Sequence, residues 1–558
     1  MKARAAAYPQ PDLARHRIAR LGLSGHHRRV NFAMQTMLSL VLLMAVAWPT
    51  SAGAREPRFD PAYASIEELR AALDSGRVSS TQLVRYYLGR IDRLDKRGPH
   101  LNALISLNPK ALEDAQRFDA QGKLQAHKSA LYGIPFIAKD NYDSAGIPTS
   151  GGSAALRNSV PARNAFIVQK LLDQGAILLG KANMSELAAS YGRLGYSSAG
   201  GLTLNPYNTA RDASGSSSGS AVAVAADYAP FALGTDTTGS IRGPASVTGV
   251  VGMRPTMGLI SRNGIIPLSL TFDTVGVLAR NVRDVATVLD AIAGEDSQDA
   301  STVGQPRISG TYLDALPTGA LRGVRLGVIG NFQGGNSEVD AMEQSALREL
   351  KAQGAVLVPI TLPKEFERLW TAVMGPIGEA EFKPQFERYL RSLPAAQPKT
   401  LTQFIDICTS PEVQESATPV NPARLEALRA ANVTELTDSA VYIHLLAQVI
   451  PSIRQQLQSL ITENQLSAFV FSTMSCPATP RYDHEDPSYV CHSDDPYKTS
   501  YIAAAAGFPE ISVPIGRISA NMPVGYSLMG PPFSEAELLG LAHALQMGIS
   551  HPAHPPLR

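Results

Sequence analysis

Three kinds of feature are scarce or missing in this sequence. Cysteine occurs only 3 times among 558 residues, which excludes a scaffold built on disulfide bonds. The apolar run Met37–Trp48 is too short for a membrane-spanning helix, since such a helix needs about 20 residues. An excess of charge of one sign is also absent, because 50 Lys+Arg stand against 49 Asp+Glu. The balance gives no reason to expect binding to nucleic acid or to a membrane surface.

Glycine and proline stay close to average usage, with 45 and 39 residues, and this excludes collagen-like and low-complexity chains. Hydrophobic residues make up 44% and charged residues 18% of the chain. These fractions are typical of globular proteins and argue against disorder. A chain of this length therefore buries a large hydrophobic core.

The N-terminus has the features of an export signal. A basic leader containing Arg28-Arg29 precedes the apolar run Met37–Trp48, and a small-x-small cleavage site ends at Ala54. We expect residues 1–54 to be a signal peptide or leader that is cleaved after Ala54. The mature protein is then periplasmic or secreted, with no stable membrane span.

Several details of export stay open at this point. An uncut membrane anchor is the alternative to cleavage. Arg28-Arg29 suggests a twin-arginine signal, but the residues that follow fit that pattern poorly, and the choice between Sec and Tat export stays open. Translation starts at one of three methionines: Met1, Met34 or Met37. An oxidising compartment would allow Cys476 and Cys491 to pair and leave Cys408 free, but the cysteine count alone does not establish the pairing.

The mature chain has the pattern of an α/β fold. Capping boxes at Ser65 and Ser79 predict the starts of two helices. Further along, short apolar runs such as Ala176–Leu179 and Phe231–Leu233 alternate with helix-like stretches. This alternation indicates buried strands separated by helices. No Pro- or Ser-rich linker interrupts the mature chain, so we predict one large domain over residues 55–558.

One short motif suggests a serine nucleophile in a strand–turn–helix elbow. Gly215–Gly219 fits G-x-S-x-G, which would make Ser217 the nucleophile of an α/β-hydrolase that depends on a histidine. The elbow requires a strand directly before it, yet Asn205–Asp212 is polar and turn-like. This hypothesis is an alternative that the sequence leaves open.

A lysine and two loops of small residues form a more specific pattern. Asp212–Ser220 is rich in Ser and Gly, and structured sequence on both sides argues against a flexible linker. Gly234–Pro244 is a second such loop, and Lys139 ends a predicted buried strand. Burial disfavours the charged form of lysine. A neutral amine next to serine hydroxyls is the chemistry of an activated nucleophile.

With these residues in place, the chain resembles the amidase signature family. The resemblance covers roughly residues 60–550, with the signature region at about 131–290. It rests on four motifs in the same order: Tyr132–Asn141, Gly180–Glu186, the loop 214–220 and Gly234–Arg242. Among the members of the family, the chain is most similar to secreted bacterial amidases and peptide amidases.

The resemblance implies a role for each matching residue. Lys139 matches the base, Ser216 the bridging serine that sits on a cis peptide bond, and Ser240 the nucleophile of a Ser-cisSer-Lys triad. The backbone N–H groups that match the oxyanion hole belong to Thr237, Thr238, Gly239 and Ser240. The residues expected to support these loops are Gly215, Ser217, Asp236 and Arg242.

The family also implies a fold and an activity. The expected fold is a mixed, twisted central sheet with helices on both faces. The expected reaction cleaves a linear carboxylic amide to an acid plus ammonia or an amine through a seryl acyl-enzyme. The substrate would be a C-terminal peptide amide or a small acyl or aryl amide, and no metal or organic cofactor is implied.

Two other functions fit the same family pattern. One is the glutaminase subunit of a tRNA-dependent amidotransferase, which works in the cytosol with ATP, tRNA and partner subunits. The other is a non-catalytic binding protein on an amidase frame. Ser214 and Ser218 stand where the family loop usually has glycine, and Thr238 also replaces a common glycine. A side chain at 214 or 218 would constrain the backbone if that position needs a positive φ.

Overall fold

A single sheet of 11 strands runs through the described part of the protein. The computed structural model describes residues 59–121, 129–306, 308–317, 319–433, 435–549 and 554–557. These residues belong to one unit, Phe59–Arg558. The predicted leader, its cleavage site at Ala54 and the boundary at residue 55 lie outside the described residues.

The described strands lie between Leu104 and Met529, and two short ones form a separate hairpin. The large sheet contains β1 (Leu104–Leu107), β2 (Pro135–Lys139), β3 (Ile177–Ala182), β6 (Phe231–Asp236), β7 (Val251–Arg254), β8 (Thr274–Ala279), β9 (Arg325–Ile329), β10 (Val356–Ile360), β11 (Ala468–Ser472), β12 (Glu510–Arg517) and β13 (Pro523–Met529). The hairpin consists of β4 (Tyr196–Ser197) and β5 (Gly201–Leu202).

The sheet is mixed, as predicted. Its order is β1-β3-β2-β6-β8-β7-β12-β13-β11-β9-β10. β2 is parallel to both β3 and β6, whereas β6 is antiparallel to β8. Every residue of β2, β3, β6 and β8 is buried. Strands covered on both faces consist of nearly continuous apolar runs. Buried strands of this kind could therefore be predicted from the sequence.

Helices flank this sheet. The first half of the chain contributes α1 (Ile66–Ser75), α2 (Ser80–Leu94), α3 (Ala111–Gln121), α4 (Phe166–Asp173), α5 (Ser218–Ala225), α6 (Arg242–Thr248) and α7 (Val282–Ile292). The second half contributes α8 (Ser337–Ala352), α9 (Gly375–Ser392), α10 (Leu401–Cys408), α11 (Pro411–Gln414), α12 (Pro422–Val433), α13 (Ala440–His444), α14 (Ile450–Asn464), α15 (Lys498–Ala506) and α16 (Glu535–Gly548). Within the ranges described, none of the helices is long and apolar enough to cross a membrane.

The helix starts follow local chemistry. Both predicted capping boxes are present, Ser65 with Glu68 before α1 and Ser79 with Gln82 before α2. Each box satisfies backbone N–H groups that a helix leaves without an internal partner. The helix α5 is different, because all of its residues are buried. A helix that is buried on every side lies inside the core and places its N-terminal residues there too.

A disulfide closes a loop that lies against the segment leading to the Ser/Gly motif. Cys476 is bonded to Cys491, whereas Cys408 is buried with a free thiol. Within this loop, the carbonyl of Thr479 accepts a hydrogen bond from the Asp212 backbone at 2.9 Å. Arg211 donates to the carbonyl of Ala478 at 3.0 Å. The loop therefore fixes the chain just before the motif.

Candidate active site

The site forms where β2 and β6 end side by side. Residues Phe136–Ala138 of β2 pair with Phe231–Leu233 of the parallel strand β6. Because the two strands are parallel and paired, Lys139 at the end of β2 lies beside Thr235 near the end of β6. Its Nζ lies 2.8 Å from Ser216 Oγ and 2.8 Å from Thr235 Oγ1.

The amine of Lys139 is fully buried. Burial lowers the pKa of this amine to about 7, although the carboxylates of Asp236 and Asp273 oppose the shift. Desolvation penalises the ammonium form, and the two carboxylates do not compensate for it. Lys139 is therefore neutral in a large fraction of molecules at neutral pH.

Ser216 follows a cis peptide bond with Gly215. A Cβ at position 215 would lie too close to Ser185 Oγ, so any larger residue there would force Ser185 to move. The backbone of Ser185 also donates to the carbonyl of Ser216 at 3.1 Å. The hydroxyl of Ser216 thus faces Lys139 from a backbone that the neighbouring segment holds in place.

Ser240 lies on the loop that connects β6 to α6. Its carbonyl accepts a hydrogen bond from the Ser217 backbone at 3.1 Å, which joins this loop to the one carrying Ser216. Ser240 has 7% of its surface exposed, more than the 1% of Ser216. The structure therefore brings the three predicted triad residues to one edge of the sheet, with Ser240 on the more open side.

The four predicted oxyanion-hole amides differ in their contacts. Gly239 N–H donates to Asp236 Oδ1 at 2.9 Å. Among the described residues, none accepts a hydrogen bond from the backbone N–H of Thr237, Thr238 or Ser240. Three of the four N–H groups therefore have no acceptor within the part of the chain that the structure describes, and the fourth is bonded to Asp236.

A buried cluster of charged side chains stabilises the loop between β6 and α6. Asp236 accepts from Arg242 at 2.9 and 3.0 Å and from Arg254 at 2.9 Å. Arg242 also bonds to Glu510. Burial by itself raises the pKa of Asp236, but the guanidinium charges of Arg242 and Arg254 outweigh it and hold the pKa well below its usual range. The two guanidinium groups thus favour the ionised form of the Asp236 carboxyl.

Ser217 does not have the surroundings of a hydrolase elbow. The residues before it form turns and isolated bridges instead of the strand that an elbow requires. Its hydroxyl is buried and donates to the carbonyl of Thr235 at 3.1 Å. This geometry disfavours Ser217 as a nucleophile. Its hydrogen bonds to Thr235 and Ser240 instead connect the Ser/Gly loop to β6 and to the loop that follows it.

The two serines that replace family glycines behave differently. Ser214 has a φ of 56°, so this position does need the left-handed region that glycine adopts most easily. Its hydroxyl lies 3.0 Å from Tyr497 OH, and its N–H donates to Asp212 Oδ1 at 2.6 Å. Ser218 begins the helix α5, where an ordinary helical backbone suffices.

Other residues of the site were given no role in the sequence analysis, although Asn141 and Thr235 lie within two of its motifs. Thr235 contacts Lys139, and Asn141 donates to Thr235 at 3.0 Å. Ser500, in α15, donates to the carbonyl of Thr238 at 3.2 Å. Asp273 accepts from Thr237 Oγ1 at 2.6 Å. These contacts join residues far apart in the sequence, and no spacing rule predicts them.

The fold and this site define the class of the protein. The sequence pattern of the Amidase family matches residues 82–539, so the chain belongs to the Amidase family. It is a hydrolase that acts on C–N amide bonds. The family predicted from the sequence motifs is thereby confirmed.

Individual relatives cover almost the whole chain. The native peptide amidase from Stenotrophomonas maltophilia is 37% identical, with a TM-score of 0.80 over 88% of this chain and 98% of that one. A probable amidase from Arabidopsis thaliana is 33% identical over 91% of this chain and 94% of its own length. A glutamyl-tRNA(Gln) amidotransferase subunit from Acinetobacter baumannii is 33% identical over 86% of this chain and 95% of its own.

Proposed function

We propose that this amidase hydrolyses C-terminal amides of short peptides and related small linear amides through a seryl acyl-enzyme. The observation that carries the proposal is the 2.8 Å contact between Lys139 Nζ and Ser216 Oγ. Ser216 lies on a cis peptide beside the Ser240 loop. The likeness to a peptide amidase favours this substrate class.

Acylation begins with proton transfer away from Ser240. Neutral Lys139 accepts the proton of Ser216, and Ser216 accepts the proton of Ser240. Ser240 Oγ then bonds to the carbonyl carbon of the amide, and the carbonyl oxygen becomes an oxyanion. The N–H groups of Thr237, Thr238 and Ser240 stabilise that charge, because they are fixed before the reaction.

The C–N bond breaks when the proton returns along the same path. Ser216 gives its proton to the leaving nitrogen and is reprotonated by Lys139, so that ammonia or an amine departs and Ser240 keeps the acyl group. A water molecule then loses a proton to the relay and attacks the ester. The acid is released, and Ser240 recovers its hydroxyl.

Labelling with a fluorophosphonate tests this assignment directly. We expect one covalent adduct on the folded protein, and peptide mapping should locate it on Ser240. The same preparation should release ammonia from a dipeptide amide at a rate that falls in step with labelling. An adduct on Ser217, or undiminished ammonia release from fully labelled enzyme, would contradict the proposed mechanism.

Activity should rise with pH and level off above about 7, the pKa to which burial lowers Lys139. Below this pH the amine carries a proton and cannot accept one from Ser216, so kcat/KM falls about tenfold per pH unit. The measurement is kcat/KM for an uncharged amide between acidic and mildly alkaline pH. A flat profile down to the ordinary pKa range of carboxylates would exclude Lys139 as the base.

A glutaminase subunit of a tRNA-dependent amidotransferase is the second candidate, because an amidotransferase subunit is one of the relatives. The disulfide Cys476–Cys491 favours the amidase instead. Disulfides persist in oxidising compartments and are rare in the cytosol, where that glutaminase would work.

We therefore propose that the protein is exported to the periplasm or secreted, in agreement with the predicted leader. N-terminal sequencing of protein recovered from the periplasm or the medium should give Arg55 as the first residue. Recovery of the intact chain from the cytosol alone, still joined across Ala54 and Arg55, would overturn export and reopen the glutaminase hypothesis.

A further inference from the structure

Three oxygen atoms surround the amine of Lys139. Ser216 Oγ and Thr235 Oγ1 each lie 2.8 Å from Nζ, and the carbonyl oxygen of Thr235 lies at 3.4 Å. These three oxygens are the hydrogen-bond partners of Nζ among the described residues. Two of the three come from one residue, Thr235, which is 5% exposed.

A neutral amine has two N–H donors and one lone pair. The carbonyl of Thr235 can only accept. Asn141 Nδ2 donates to Thr235 Oγ1 at 3.0 Å and so holds the side chain that contacts Lys139. Two N–H groups donated to Thr235 would leave the single lone pair of the neutral amine for the hydroxyl of Ser216.

We propose that Thr235, held by Asn141, is a positioning residue that aims the lone pair of Lys139 at the hydroxyl of Ser216. The proposal rests on the function proposed above. Thr235 itself touches neither the substrate nor the reacting serine in this scheme. Its effect is on the orientation of the base, since a lysine amine without fixed acceptors rotates freely about its last bond.

The surrounding charges make the effect measurable as a pH shift. Asp236, at the end of β6, and Asp273, just before β8, face Lys139 and are held by Arg242 and by Thr237 respectively. On the neighbouring strand β3, Lys181 lies 3.4 Å from Asp140. These groups are unchanged in variants at Thr235 or Asn141. A shift of the acid limb, the part of the pH–rate profile in which kcat/KM rises with pH, therefore reports on the altered contact with Lys139.

Removing the hydroxyl and adding a charge should move the acid limb in opposite directions. In Thr235→Val the ammonium form of Lys139 loses an acceptor, so its pKa falls and the limb moves to lower pH. In Asn141→Asp a carboxylate replaces the amide, which favours the ammonium form and moves the limb to higher pH. A merely structural role would change the amount of folded enzyme and leave the position of the limb unchanged.

The test compares four variants in the full-length enzyme with a peptide amide as substrate. We expect Thr235→Val to lower kcat by roughly 10- to 100-fold with little change in KM, part of the usual contribution of a general base. Thr235→Ser should retain most of the kcat of the unmodified enzyme, because serine keeps the hydroxyl. Asn141→Asp should move the acid limb to higher pH, and this result does not depend on whether Thr235→Val folds.

Thr274→Val is the matched control. Thr274 faces Asp236 in the register of β8 against β6, and its buried hydroxyl has no hydrogen-bond partner among the described residues. The substitution is chemically the same and lies on the adjacent strand. We expect its kcat and its acid limb to match those of the unmodified enzyme.

Two failures can be told apart. If Thr235→Val keeps the full rate and the same acid limb while Ser240 is still the labelled residue, the positioning role is wrong and the proposed function stands. If the unmodified enzyme has no acid limb and no adduct on Ser240, the proposed function itself fails. Should Thr235→Val not fold, the direction of the shift in Asn141→Asp and the rescue in Thr235→Ser decide the proposal.

Discussion

Replacing Ser240 by alanine should lower amide hydrolysis by about four to six orders of magnitude, the loss seen when the nucleophile of a comparable relay is removed. In the proposed mechanism, Ser240→Ala deletes the one atom that forms the acyl-enzyme, and no other hydroxyl takes its place. Ser216 faces the amine of Lys139, and Ser217 donates into the protein interior. The readout is ammonia release from a peptide amide, together with loss of fluorophosphonate labelling.

The fold should survive this change. Ser240 contributes its backbone to the contact with Ser217, and alanine keeps that backbone. Ser159→Ala is a suitable control, because Ser159 is also buried and its hydroxyl has no partner among the described residues. Turnover by Ser240→Ala close to that of Ser159→Ala would show that the nucleophile lies elsewhere.

The second large effect concerns stability. Asp236→Asn should reduce the free energy of unfolding by about 3–5 kcal/mol, the cost of breaking a buried ion pair by removing one partner. The carboxylate serves both Arg242 and Arg254 and also accepts from the backbone N–H groups of Gly239 and Ile241. Asparagine is neutral and cannot supply all of these acceptors. Both guanidinium groups would then lose their shared counter-charge in the interior.

Urea unfolding of the two proteins measures the difference. Asp483→Asn is the control, because Asp483 is exposed and pairs with Arg481 at the surface. An exposed pair contributes about 0–1 kcal/mol, so this variant should unfold with nearly the same midpoint as the unmodified protein. Equal midpoints for Asp236→Asn and Asp483→Asn would show that the buried cluster does not stabilise the fold.

Features that depend on neighbours in the chain were predictable. The capping boxes at Ser65 and Ser79 are present because a helix start needs a side chain within three or four residues. The buried strands were visible as apolar runs, because a strand covered on both faces has no polar alternation. The arrangement of these strands in a mixed sheet came from the family motifs, since strand order depends on contacts between distant segments.

The chemistry of the site was partly predictable. Lys139, Ser216 and Ser240 were identified from motifs, and the structure brings them to one edge of the sheet. The bond between Gly239 N–H and Asp236 was not visible, because it depends on how the loop folds back on the end of β6. The contact of Thr235 with Lys139 was missed for the same kind of reason.

The sequence by itself determined the family, the α/β class and the helix starts, and it predicted which residues carry the chemistry. Only the tertiary structure decided which hydroxyl meets the amine, which amide bonds to Asp236 and which charge holds the loop. The physical reason is the range of the interactions. Caps and strand patterns act over a few neighbouring residues, whereas Lys139, Ser216 and Thr235 come together through the pairing of β2 with β6 and the burial of α5.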